Sequence, residues 1–234
     1  MSKLSANLQK GLVGHWTMDD RDTDSGMLRE RSASDNHGTI EGGTDTSQTS
    51  PIGQAYSFGG NPDYLDLNVS SIDLGLHSVD TFSVNLWVKR YGSGGGFDTP
   101  ILSAYNRDLV DGWHLLVQND NEFEAVISSG GGEHTRAVHN SSSEVGRWYM
   151  TTAIFDNNTE LPDLYVDGVS DFTIEEGADS FPHAETTIKI ARQSNPDERY
   201  FDCEVSDVRI YDRVLSEPEI EALYNMRSQR NANV

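Results

Sequence analysis

Apolar and polar residues alternate with a period of two through much of this chain, and turn residues break the alternation about every 8–12 positions. That rhythm restricts the fold more than any other feature. Its cleanest instance is TFSVNLWVKR (81–90), where Phe82, Val84, Leu86 and Val88 fall on one face and Ser83, Asn85, Trp87 and Lys89 on the other. Helical periodicity is confined to one stretch near the C-terminus. The expectation is an all-β fold: two antiparallel sheets packed as a sandwich, with one short C-terminal helix. The 234 residues suffice for a single large domain.

VGHWT (13–17) reads as the first strand. An Asp- and Gly-rich loop follows to Thr49, interrupted by a short strand near Gly38–Ile40. QAYSF (54–58) and DYLDL (63–67) read as a hairpin across the turn GGNP. GSGGG (92–96) reads as a flexible loop, without the strand-before, helix-after context of a phosphate-binding loop. PILSAY (100–105), GWHLLVQ (112–118) and EFEAVIS (122–128) form a meander that TRAVH (135–139) continues. RWYMTTAIF (147–155) is apolar on both faces, which predicts a central strand covered on both sides. DLYVD, TTIKIA and EVSDVRIY complete the sheets. In the helix, Ser216 and Glu219 make a capping box, Pro218 is tolerated in the first turn, and Ile220, Leu223 and Tyr224 share the face that docks.

Charge excludes whole classes of partner. With 38 acidic and 17 basic residues the formal net charge is −21, which repels nucleic acid and anionic membrane. Aspartate is abundant (23) and lysine scarce (4), pointing to a halophilic source, where salt screens the repulsion. The lone Cys203 forms no disulfide or cysteine zinc site within the chain and reads as a packing residue. Residues 1–15 show no apolar signal-peptide core, and no apolar run approaches the roughly 18 residues of a membrane span. Polar segments 1–10 and 227–234 flank a domain at 11–226, and a larger assembly in which neighbouring protein subunits are partners is expected.

Six pieces, in order, carry a family resemblance. They are Trp16-Thr17-Met18-Asp19 followed by LRERSASDNHGTI (28–40); Phe58-Gly59 ahead of Tyr64; the strand from Phe82 to Trp87; Gly146-Arg147-Trp148; the Tyr165–Gly168 hairpin; and FDCEVSDVRIYDRVLSEPEIEALYNM (201–226). Together they resemble the laminin-G-like, or concanavalin-A-like lectin, family of β-jelly-rolls. The resemblance implies a jelly-roll sandwich and recognition rather than catalysis, with glycans or neighbouring subunits as partners at a virion or cell surface. It also implies calcium between the early loop and the last strand, with Glu30, Asp35 and Asp207 as ligands. Cys203 stands where the family often has Gly, Ser206 where it often has Asp, and Glu30 where it often has Asp.

Other chemistry is read from the residues directly. Calcium takes about six to eight oxygen ligands, and the alternating Asp20, Asp22 and Asp24 form a second candidate cluster. Glycans are held by aromatic platforms with polar groups beside them; Tyr91, Tyr105, Asn106, Trp113 and Asn119 lie in or near loops of the central meander. Glycoside hydrolysis needs two carboxylates across the sugar. The nearest stretches, Glu122-Phe123-Glu124 and Glu204 to Asp207, complete no such motif, and Glu122 and Glu124 read as a solvated strand face. Neither Gly-x-Ser-x-Gly nor His-Glu-x-x-His occurs. A non-catalytic chain is expected.

Overall fold

Two antiparallel sheets enclose one apolar core, and a helix covers the outer face of the smaller sheet. The structure is a computed structural model. It describes all residues but 1–6, 33, 93–98, 107, 131–132, 157, 160, 176, 178–184, 195–198 and 232–234, and omits the side chains of 228–231. The expected GSGGG loop and both outermost tails fall largely outside the described residues.

Among the described residues the strands are β1 (Leu12–Trp16), β2 (Thr23–Asp24), β3 (Met27–Leu28), β4 (Gly38–Glu41), β5 (Asp45–Ser50), β6 (Gly53–Gly59), β7 (Tyr64–Ser70), β8 (Thr81–Arg90), β9 (Thr99–Asn106), β10 (Asp111–Val117), β11 (Glu122–Ser129), β12 (His134–Ser142), β13 (Trp148–Asp156), β14 (Pro162–Val166), β15 (Phe172–Glu175), β16 (Thr187–Ile190) and β17 (Asp202–Tyr211). The helix α1 spans Glu217–Asn231. The smaller sheet runs β14-β13-β8-β17-β6-β5, with β1 also paired to β17. The larger runs β15-β12-β11-β10-β9-β16-β7-β4-β3-β2. No helix among the described residues is long and apolar enough to cross a membrane.

The period-two reading of β8 holds. Phe82, Val84, Leu86 and Val88 enter the core between the sheets, while Trp87 meets α1 on the other face. Phe82, Trp113 and Phe155 form the aromatic centre of that core, with ring centroids 4.9–5.4 Å apart. β13 is covered on both sides as expected: Ala153 and Phe155 face the core, Met150 and Ile154 face α1. Cys203 is fully buried.

The helix docks as its pattern requires. Ile220 and Leu223 bury against Trp87, Met150, Ile154 and Tyr211, and Tyr224 stacks on Trp87 at 5.8 Å with 9° between planes. Glu219 accepts from the Ser216 N–H (2.9 Å) and hydroxyl (2.8 Å), closing the start of the helix. Arg213 adds two hydrogen bonds to the same carboxylate.

Two local readings are corrected. β6 and β7 do not form a hairpin: β6 pairs with β5 and β17, whereas β7 pairs with β4 and β16 in the opposite sheet. GGNP still turns tightly, with the Asp63 N–H on Gly60 O at 2.6 Å. The chain changes sheet there because Tyr56 and Phe58 on one side and Leu65 and Leu67 on the other all reach the shared core. The stretch taken as loop up to Thr49 contains β5, an edge strand, DTSQTS, without an apolar residue to announce it.

Candidate functional site

Strands β9 to β12 present their outer face as a shallow groove of about 230 Å³, lined by Tyr105, His114, Leu116, Glu124, Val126, His134, Arg136, Gln193 and Arg199. Alternation builds it. Trp113, Leu115 and Val117 of β10 point into the core, so His114 and Leu116 point out. His114 pairs with Val126 and Val126 with Arg136, a row across three strands, while Leu116 pairs with Glu124. Tyr105 pairs with Gly112, which has no side chain to obstruct it, so the ring reaches its diagonal neighbour His114 and stacks at 4.8 Å with 21° between planes. Gly112 is required by the backbone as well: its φ is +108°, and a Cβ there would sit 2.1 Å from Ala104 O.

The groove is held from both sides. Ser194 bonds to Ser103 of β9 through its N–H at 3.3 Å, and the Gln193 N–H donates to Arg199 O at 3.1 Å, fixing that segment beside β9. On the β12 side His134 Nδ1 lies 2.7 Å from the Ser128 hydroxyl. Burial, reinforced by the positive charges of His134, Arg136 and Arg199, pushes the His114 imidazole down to about 3, so it is neutral at pH 7. Glu124, 1% exposed, is the one carboxylate among the described lining residues, where glycoside hydrolysis uses two.

A larger cleft of about 610 Å³ lies where the early loop meets β17. Its charges are matched within the protein. Asp207 bonds to Arg209 Nε at 2.8 Å and Nη2 at 3.1 Å, and to His15 Nε2 at 2.7 Å. Burial raises the Asp207 carboxyl, but Arg209 and His15 outweigh it and hold it well below the usual carboxylate range. Asp22 pairs with Arg31 and accepts from the Thr17 hydroxyl at 2.6 Å; Asp19 pairs with Arg21 at 2.6 Å. Phe, Tyr and Trp are missing from its described lining, so the smaller groove is the better ligand platform.

The family model of the concanavalin A-like lectin/glucanases superfamily matches residues 59–221. The chain belongs to this superfamily. No curated protein matches it in sequence. Among solved structures, this superfamily member is similar to the receptor binding domain of botulinum neurotoxin C/D mosaic serotype: 17% identity, TM-score 0.69, 92% of this chain and 51% of that one. It is similar also to a structure of botulinum neurotoxin type C (14%, TM-score 0.71, 95% and 53%) and to the binding domain of botulinum neurotoxin DC (14%, TM-score 0.67, 94% and 52%). The chain spans about half the length of these solved chains, and at such identity the likeness is one of fold.

Against this lectin-superfamily frame, the sequence-derived site residues scatter. Tyr105 is the one that lines the groove. Trp113, proposed as a ligand platform, is corrected to a core residue: it is fully buried and donates its indole N–H to the Ser71 hydroxyl at 2.9 Å. Asn106 Oδ1 accepts the N–H groups of Asp108 (3.0 Å) and Leu109 (3.3 Å), shaping the turn after β9. Asn119 is exposed beyond the far end of β10, about 20 Å from Asn106 by strand length. Tyr91 follows β8 of the other sheet; it is 41% exposed, bonds to Glu204, and lies 5.2 Å from Lys89 Nζ.

The calcium ligands implied by resemblance fit an ion poorly. Glu30 and Asp207 do converge, but on His15. Glu30 Oε1 accepts the N–H groups of His15 (2.8 Å) and Ser32, and Oε2 that of Ser34 at 3.2 Å. A cation at Asp207 would face the Arg209 guanidinium. Asp35 is exposed with φ +53°, turning the chain so that the His37 N–H reaches its carbonyl at 3.0 Å. The second cluster diverges: Asp22 is buried, whereas Asp24 is exposed beside Arg29 at 3.3 Å. No group of three or more metal-ligating side chains lies together among the described residues. The residues of the groove that sequence reasoning missed are His114, Leu116, Glu124, Val126, His134, Arg136, Gln193 and Arg199; outward alternation on β10 to β12 is the signal that finds the strand-borne six.

Proposed function

We propose that this chain is a non-catalytic glycan-recognition module whose ligand occupies the groove on the outer face of the larger sheet. One observation carries the reading: a stacked Tyr105–His114 pair beside the apolar Leu116 and Val126, with Glu124, Arg136, Gln193 and Arg199 converging on the same space. A sugar ring is apolar on its faces and polar at its rim, which suits a few polar groups set around an apolar floor. The solved neighbours lend support. Botulinum neurotoxin type C depends on interaction with two ganglioside molecules to enter cells, and the binding domain of botulinum neurotoxin DC is solved in complex with SialylT. The reading extends to a cell or virion surface in concentrated salt, supported by the net charge of −21 and the excess of Asp over Lys.

The test is a glycan array in molar salt with the full chain, alongside Tyr105→Ala and His114→Ala variants whose fold is checked by circular dichroism. Specific binding lost in both variants is expected. Absence of binding by the native chain, or binding indifferent to both folded variants, would overturn the reading.

A further inference from the structure

We infer, independently of the glycan reading, that the Arg209 guanidinium is the resident cation of the junction between the early loop and β17, so that this junction locks without a divalent metal. The register of β17 prepares the place. Ser206 pairs with Trp87 of β8 and Arg209 with Asn85, so three steps along β17 match two along β8. The extra residue makes a β-bulge, with Asp207 at φ +51°. Val205, Val208 and Ile210 keep their places in the core. Ser206, Asp207 and Arg209 therefore all line the cleft outside it. Plain alternation would set Ser206 and Asp207 on opposite faces of the sheet.

The bulge brings a carboxylate and a guanidinium fork to fork. Arg209 Nε donates to Asp207 Oδ2 at 2.8 Å and Nη2 donates to Oδ1 at 3.1 Å, the bidentate match of two planar groups. Both side chains are 9% exposed, so neither charge has water enough to stand alone. Asp207 Oδ1 also accepts from His15 Nε2, and the His15 carbonyl accepts the Arg31 N–H at 2.8 Å. Arg31 carries its own guanidinium to Asp22. Arg209 thus anchors the early loop through Asp207 and His15. Calcium takes about six to eight oxygen ligands. Each oxygen of the junction carboxylates already holds a donor or a guanidinium of the chain: Arg21 on Asp19, the Thr17 hydroxyl and Arg31 on Asp22, three backbone N–H groups on Glu30, and Arg209 with His15 on Asp207. A divalent ion entering the cleft would displace those donors and face the guanidiniums of Arg21, Arg31 and Arg209. A guanidinium keeps its charge at any ordinary pH, and one tethered to β17 does not exchange with dissolved cations.

The experiment is thermal denaturation of the full chain, native and Arg209→Ala, in excess chelator, in millimolar calcium and in millimolar methylguanidinium. The native chain should melt at the same temperature in chelator and in calcium. A calcium site of the folded state, filled at about a hundredfold its Kd, would raise that temperature by about 5–11 °C. Arg209→Ala should melt lower. Methylguanidinium, the same planar cation set free, should recover part of the loss, and calcium should recover none. A native chain stabilised by calcium or destabilised by chelator overturns the inference, even where Arg209→Ala does not fold. In a folded Arg209→Ala chain, rescue by calcium, or none by methylguanidinium, overturns it as well.

Discussion

His15 and Asp207, 192 positions apart in the chain, are joined by a 2.7 Å hydrogen bond between Nε2 and a carboxylate oxygen. The bond closes the early loop onto the last strand, and Arg209 neutralises the same buried carboxylate. Asp207→Ala should cost about 3–5 kcal/mol, because it leaves the Arg209 charge buried without its partner. The folded-state carboxyl is depressed from 3.8, so this stabilisation is present above about pH 4 and is lost as pH falls further. Urea denaturation of Asp207→Asn across pH 3–7 checks it; a variant as stable as the native chain at pH 7 would contradict the pairing.

Glu30 acts on the backbone. Its carboxylate gathers three N–H groups, from His15, Ser32 and Ser34. Glu30→Gln should lower stability by about 1–3 kcal/mol, since one acceptor becomes a donor facing a buried N–H. Calcium should leave the melting temperature of the native chain unchanged. A calcium-dependent rise abolished by Glu30→Gln would show that the loop opens to take an ion.

His114 sets a pH dependence of the same sign as the Asp207 pair but from a different cause, burial of a neutral ring. The folded state holds it down at about 3, whereas the unfolded chain titrates near 6.5. Between those values the unfolded chain binds a proton that the folded chain refuses, so stability falls as pH drops from about 6.5 toward 3. His114→Gln should flatten that part of the stability profile, and the imidazole NMR signal of the native chain should not titrate above pH 4.

The docking of α1 on Trp87 gives a spectroscopic handle. Leu223→Ala should cost about 2–5 kcal/mol through the cavity it leaves. Tyr224→Ala removes the stacked ring, worth about 0.5–1.5 kcal/mol beyond its buried area. Both should shift tryptophan fluorescence to the red while the sheets remain folded. Unchanged emission would mean that the helix does not cover Trp87 in solution.

The elements announced by local pattern were legible. β8 declares its two faces through strict alternation, and α1 declares its start through Ser216 and Glu219. Sheet membership was not legible, because it depends on distant partners: GGNP specifies a turn but cannot say that Phe58 and Leu65 reach one core from opposite sheets. β5 was silent for want of apolar residues. At the site, Tyr105 was found by its type and its nearness to a loop, and Trp113 failed by the same test, since the neighbouring positions of one strand point to opposite faces. Glu124 read as solvated and is buried, because alternation reports which face of a sheet a residue takes and not what covers that face. Arg199 itself lies in a stretch without periodicity, where no strand logic applies.

β1 finds its strand partner in the distant β17, which β6 and β8 also flank. The smaller sheet therefore stays open until β17 has been made. Such distant pairing is slow, because loop-closure entropy is lost before any contact is gained. Until β17 arrives, β1, β6 and β8 all lack a neighbour at the same moment, and that interval is when the nascent chain is most exposed to pairing with another copy of itself.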